Sequence, residues 1–449
     1  MHWRSLSPVR ACSAAGLLFL TASGAFGDEP AGPVPSAASL SESVDILKAR
    51  KSGELQVEVR GQGEGQVKLS VKNLGTRRLN VVLPPGLVAA SSTGQGGMPG
   101  GGGGNQSMGL GPANGVAGAF GQFRGTDEGV GFRSVAAEPK TSAAGTIVVP
   151  SGQSVDVSLP AVCLNFGLAT PKAKDRLQLM DVDDYSNDPR TRKALRSLAT
   201  YGSSFGVAQA VMWNVCNDLS FDSMAEKGGK LINRQEVALA SRFVEAVDAA
   251  SDRDLIDPAY LTEGRLFVRV RGEGAVAKDA KRLEEQLDGQ RIFGLPARVL
   301  TEESTVPASS SAIYLTVQLS ATAKGQTRGK VAVHAVLGQG NASSLGTVSF
   351  SELSAPSGLD GATLAGAIDH AVAAGFVSAK PTKKIEGGTV LRIENRLPFT
   401  IASLDVKPTG SSGSPTVHFG GVGVGAGRTG TATIQASGGT VEHVELNGL

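Results

Sequence analysis

Alternation constrains this chain more than any other feature. Leu55, Val57 and Val59 alternate with Gln56, Glu58 and Arg60, and Val67, Leu69 and Val71 alternate with Lys68, Ser70 and Lys72. A period of two places apolar side chains on one face only, so both segments read as half-buried antiparallel strands. Asn73, Leu74 and Gly75 supply the turn that follows, Leu79 to Leu83 a further strand, and Pro84-Pro85-Gly86 its stop. Strands resume at Thr146 to Pro150 and Val155 to Leu159, around Ser151-Gly152-Gln153. Residues 91–126 hold too few β-branched or aromatic side chains to offset their ordering entropy, and read as a flexible Gly-rich insertion. The chain has 60 glycines in 449 residues, well above the usual ~7%. This insertion and turns such as Gly420 to Gly430 account for much of that excess.

The alternating text returns at the C-terminal end. Residues 65–86 can be laid on 387–410, with Leu69 on Leu391, Val71 on Ile393 and Asn73 on Asn395, and residues 149–159 echo 424–434. Two copies do not make a repeat array; they predict two β-sandwich modules of immunoglobulin-like type, 55–160 and 387–449.

Helical signals occupy 161–252. Asp188 before Pro189, with Gly202 as a stop, predicts a helix over 189–201. Ser203 or Ser204 opens a second helix carrying Phe205, Ala208, Met212, Val215 and Leu219 on one face, and Asn233 with Glu236 forms a capping box for a third helix through Ala250. Residues 263–378 then read β-α-β-β-β-α, with strands at Leu266 to Val270, Ile313 to Leu319, Lys330 to Leu337 and Thr347 to Phe350, and helices at Ala277 to Leu287 and Leu364 to Val377. Residues 379–386 read as a linker. The fold class expected is therefore multidomain α+β, with two immunoglobulin-like modules flanking a small helical unit and an α+β sandwich domain.

Residues 1–27 carry the marks of an export signal: Arg4 and Arg10, an apolar run from Ala14 to Leu20, and Ala25 and Gly27 before Asp28. A leader over 28–54, with a short helix at Val44 to Lys51, would follow. The signal contains two arginines and no acid, so the net charge of +2 belongs to it and the mature chain is neutral. Neutrality argues against a nucleic-acid partner, which calls for a basic face. No later apolar run reaches the ~20 residues of a membrane span. The expected location is extracytoplasmic, periplasmic or secreted.

Cleavage would remove Cys12 and leave Cys163 and Cys216, a pair that in an oxidising compartment reads first as a disulfide closing a loop of roughly 50 residues. Gln209, Trp213 and Cys216 share one helix face, with Gln209 and Cys216 about 10 Å apart along the axis. A sulfur at Cys163 could meet that face at one level or the other, and free thiols are the third outcome. Cys163 after a strand, with Gln209 and Trp213 in the run Ala208-Gln209-Ala210-Val211-Met212-Trp213, resembles the thioester domains of bacterial surface adhesins. There a cysteine thiol and a glutamine in a T-Q-x-A-I/V-W motif form an internal thioester that acylates amines. The resemblance implies Cys163 as thiol, Gln209 as acyl donor and Trp213 as the motif aromatic; Ala208 and Val211 depart from the motif.

Other chemistry is weakly marked. His334, His370, His418 and His443 are dispersed and lack zinc-protease spacing. Asp181, Asp183, Asp184 and Asp188 precede a helix and favour its positive end, and their spacing does not fit a calcium loop. No nucleophile elbow, phosphate loop or dinucleotide fingerprint is present. The chain thus reads as an exported, non-enzymatic structural or interaction protein of the cell envelope, without cofactor or metal, acting on a protein or envelope surface. The alternative is a covalent adhesion module with a Cys163–Gln209 thioester. A third reading is a hydrolase built on the α+β domain.

Overall fold

The computed structural model describes residues 42–63, 65–91, 105–111, 146–227, 232–251, 255–300, 311–336, 342–386, 388–409 and 415–449, all within the unit Ser41–Leu449. The proposed signal and most of the leader lie outside these residues. The architecture is mixed α+β and mostly β.

The chain enters through β1 (Glu42–Asp45) and α1 (Ile46–Lys51), whose start is capped by the Asp45 carboxylate accepting the Leu47 and Lys48 N–H groups. The expected helix at Val44 to Lys51 thus begins two residues later. Strands β2 (Leu55–Gly61), β3 (Gln66–Asn73), β4 (Leu79–Val82), β5 (Leu87–Ser91), β6 (Met108–Leu110), β7 (Thr146–Val149), β8 (Ser154–Cys163) and β9 (Arg176–Asp181) follow. They form a three-stranded sheet β1-β4-β7 and a closed barrel β2-β3-β8-β6-β5-β9. Leu55, Val59, Val67, Leu69, Val71, Leu79 and Val81 all fall in one core, as the alternation requires. Three expectations are corrected. The first module is a closed barrel beside a three-stranded sheet, and it extends past residue 160, because β9 comes from the stretch read as helical and pairs with β2 and β5. The leader contributes a strand, because β1 pairs in parallel with β4. The Gly-rich insertion contributes β6, whose Met108 and Leu110 are buried between β5 and β8. Gly109 is needed there because a Cβ would stand 2.7 Å from Leu195. Residues 92–104 and 112–126 of the insertion lie outside the described residues.

Helices α2 (Val182–Tyr185), α3 (Pro189–Tyr201), α4 (Phe205–Asn217), α5 (Phe221–Lys227), α6 (Arg234–Ala249) and α7 (Pro258–Thr262) come next. The caps are those expected: Asp188 for α3, which ends at Gly202 with φ of 72°, Ser204 for α4, and the Asn233/Glu236 box for α6. Residues Gly206 to Met212 of α4 are all buried, which places this helix at the centre of the group.

A six-stranded sheet follows, from β10 (Leu266–Gly272), α8 (Ala277–Leu287), β11 (Arg291–Ile292), β12 (Leu295–Val299), β13 (Ala312–Ala321), β14 (Thr327–Val336), β15 (Ala342–Leu353) and α9 (Gly361–Phe376), in the order β11-β12-β10-β13-β14-β15. β10 runs parallel to β12 and β13, and the remaining pairs are antiparallel. Leu266, Val268 and Val270 pack with α8 and α9, whereas Phe267 faces the opposite side.

The last module comprises β16 (Val377–Ile385), β17 (Gly388–Asn395), β18 (Ile401–Thr409), β19 (Val417–Val424), β20 (Thr429–Ile434) and β21 (Gly438–Leu446), arranged as sheets β16-β17-β20 and β19-β18-β21. The segment 379–386 is therefore not a linker; most of it is strand paired with β17. The two modules share their register. Leu55 pairs with Asn73 as Val377 does with Asn395, Val71 with Val155 as Ile393 does with Gly430, and Leu79 with Val149 as Ile401 does with Val424. A single buried cluster joins the helices, the six-stranded sheet and this last module. Glu236 at the start of α6, 1% exposed, meets Arg428 of the last module at 2.5 Å.

Candidate functional site

Cys163 ends β8 and Gln209 lies in the second turn of α4. The Gln209 amide bridges the Cys163 main chain: Cys163 N–H donates to Oε1 and Nε2 donates to the Cys163 carbonyl, both at 2.9 Å. Gln209 is 1% exposed, so these two bonds satisfy polar groups that would otherwise be stranded away from water. The side chain behaves as a short extra strand, pairing with the last residue of β8.

The thiol points elsewhere. Cys163 packs with Met108 and Leu179 in the barrel, while its neighbours Val162 and Leu164 belong to the helix-facing core. Successive strand residues project to opposite faces, so the Cys163 side chain lies on the far side of β8 from α4. Cys216 packs on the helix side, and no disulfide joins the two. In this structure strand alternation, which sequence spacing does not encode, sets the two thiols on opposite sides of β8. Gln209 does reach Cys163, but through the main chain.

Cys216 sits beside Thr191, with Sγ and Oγ1 3.7 Å apart. Burial pushes its thiol up to about 11, so it is a protonated and weak nucleophile at neutral pH. Trp213 packs edge to face with exposed Phe166 at 5.0 Å, and its Nε1 is buried with no hydrogen-bond partner. The Phe166 loop is pinned to the same helix by its N–H donating to Asn217 Oδ1 at 3.0 Å.

The acidic run does what its position ahead of a helix implies. Asp181 caps α2 and Asp188 caps α3, and Arg196 bridges Asp181 and Asp183 at 2.8 Å each. The Arg196 hydrogen bond holds the Asp183 carboxyl below its usual range. Asp184 takes no part in that bridge.

The histidines are less dispersed than the sequence suggests. On the face of β18, β19 and β21, Asp405 is in register with both His418 and His443. His418 Nδ1 is 2.8 Å from Asp405, and His443 Nδ1 is 2.5 Å from Asp369 of α9. Asp369 also accepts the Phe293 N–H at 2.6 Å, and His370 Nδ1 lies 3.1 Å from the Glu442 carbonyl. His334 stands apart, its ring 6.2 Å from Tyr314. The sequence offered no signal for this row, because its members come from four elements. Among the described residues, no three His, Cys, Asp or Glu side chains converge as a metal-binding group, and no helix is long and apolar enough to cross a membrane. Compared with known proteins, the chain matches no family model and no curated protein.

Proposed function

We propose that this chain is an exported, non-enzymatic structural or interaction protein of the cell envelope, in which Cys163 and Gln209 join barrel to helices rather than perform chemistry. The observation that carries this reading is the bidentate bridge, which engages the Gln209 amide on the Cys163 main chain. A thioester would need that amide carbon at the thiol instead. The two three-stranded sheets of the last module support an immunoglobulin-like assignment for it, a fold type that commonly presents loops and sheet faces to partners, and the matched registers relate the first module to it. The covalent adhesion reading keeps one supporting fact, the proximity of Gln209 to Cys163.

Expression with the native leader, followed by osmotic release and N-terminal sequencing, tests export. The expected product is released and begins at Asp28; retention in the cytoplasm with Met1 intact overturns the proposal. Intact mass then tests the site. The expected mass is that of the unmodified chain, whereas a deficit of about 17 Da indicates a thioester and about 2 Da a disulfide.

A further inference from the structure

One face of the six-stranded sheet carries α8 and α9; the other is a plane of cations and hydroxyls. Strand pairing sets its rows. Arg271, Gln318, Lys330 and Ser349 lie side by side across β10, β13, β14 and β15, and Arg269, Thr316, Ala332 and Thr347 form the adjacent row. Arg298, Phe267, Tyr314, His334 and Ser344 form a third. None of these positions is acidic, but two acids border them: Glu273 accepts from Gln318 Nε2, and Glu263 lies 3.9 Å from Arg298; Arg271, Lys330, Gln318, Arg298 and Ser349 are exposed. Arg328, also exposed, continues the plane beyond Lys330 and is steadied by its Nε donating to Ser320 Oγ at 3.0 Å. Arg269, Arg271, Arg298, Arg328 and Lys330 outnumber these two acids, so the face carries a local positive excess in an otherwise neutral mature chain.

We propose that this open face binds an anionic polysaccharide, with Arg271, Arg328 and Lys330 as the cations that meet its carboxylates. The inference rests on the envelope-interaction reading and names the partner class for it. Strands about 4.8 Å apart put Arg271 and Lys330 roughly 10 Å apart across the sheet, with Arg328 about 7 Å from Lys330 along its strand. A rigid sheet holds these charges at fixed spacing, so a polymer with regularly repeated carboxylates gains several contacts at once. Thr316, Thr347 and Ser349 between them offer hydroxyls to pair with those of a sugar, while the Gln318 amide nitrogen is held by Glu273. A single-stranded polynucleotide would instead need flat, exposed aromatic platforms for its bases. Here Phe267 is 8% exposed, and Tyr314 and His334 are half-buried and tilted against each other by 40°.

The test is equilibrium binding of the purified chain to polygalacturonate, with neutral dextran and an oligodeoxythymidylate as comparisons. Polygalacturonate is expected to bind in a salt-sensitive manner and dextran not at all. The double variant Arg271→Glu/Lys330→Glu is expected to lose at least tenfold in affinity while keeping its melting temperature, since both side chains are exposed. Charge reversal at exposed Arg176, on the barrel, is expected to leave affinity unchanged. Absence of polygalacturonate binding, affinity unaffected by the double variant, or tighter binding of the oligonucleotide each overturns the proposal. These readouts do not depend on where the protein resides in the cell, so they can fail independently of export.

Discussion

Asn73 and Asn395 make the same hydrogen bonds in two different modules. Each Oδ1 accepts the N–H two residues ahead, from Gly75 and Leu397, at 2.9 Å. Each Nδ2 donates to the carbonyl four residues ahead, Arg77 at 2.7 Å and Phe399 at 2.8 Å, and across to Val149 at 3.1 Å and Val424 at 3.0 Å. Both are fully buried. The side chain therefore shapes the turn after its strand and ties that turn to the opposite sheet. Replacing either by Ala strands two or more carbonyls and should cost about 3 kcal/mol. Urea denaturation of Asn73→Ala and Asn395→Ala should give similar losses; a neutral Asn395→Ala would refute the equivalence.

Gln209 can be tested by isostere. Gln209→Glu keeps the shape but can bond the Cys163 carbonyl only when its carboxyl is protonated. The folded state should hold that proton more tightly than the unfolded chain. Its stabilisation is then fully present below the ordinary Glu value of about 4.3 and lost as pH rises through the raised folded value. Melting temperatures of this variant should rise on acidification relative to the parent chain, and Gln209→Ala should show no such recovery.

The cysteines should react only after opening. With the Cys216 thiol pushed up to about 11 and Cys163 6% exposed in the barrel, native protein at pH 8 should label slowly with iodoacetamide. Denatured mature protein should label at both positions. Zero labelled thiols after denaturation would restore the disulfide.

His443 gives the fold a pH dependence of stated sign. Its hydrogen bond to Asp369 raises its proton affinity above the ordinary 6.5, against desolvation, and Asp405 and Glu445 add to the effect. The stabilisation should be complete below 6.5 and fade as pH rises through the higher folded value. Thermal melts through that window should show the decline in the parent chain and flatten in His443→Gln.

Arg428→Met should be among the most damaging single changes. It leaves the Glu236 carboxylate, 1% exposed, with Asn233 N–H and Ser204 Oγ but without its cation. Losing one member of a buried pair costs about 3–5 kcal/mol, measurable by chemical denaturation. Gly206→Ala should also destabilise, because its Cβ would fall 2.2 Å from Glu236 Oε2.

What the amino-acid text determined by itself was local or self-comparative. Alternation identified β2 and β3, caps at Asp188, Ser204 and Asn233 marked three helix starts, and comparing the chain with itself paired Asn73 with Asn395. These depend on neighbours within a few residues, or on matching one stretch with another. Tertiary structure decided the rest. Met108 and Leu110 became barrel strand inside a Gly-rich stretch because Gly109 admits Leu195 at a distance no side chain would allow. The Cys163 thiol turned from Cys216 because its strand alternates between two cores. His418, Asp405, His443 and Asp369 formed a row, and Arg271, Lys330 and Arg328 a plane, because register places side by side residues that sequence distance separates. Spacing along a chain says which residues share a helix face; only the packing of one element on another says which side each face meets.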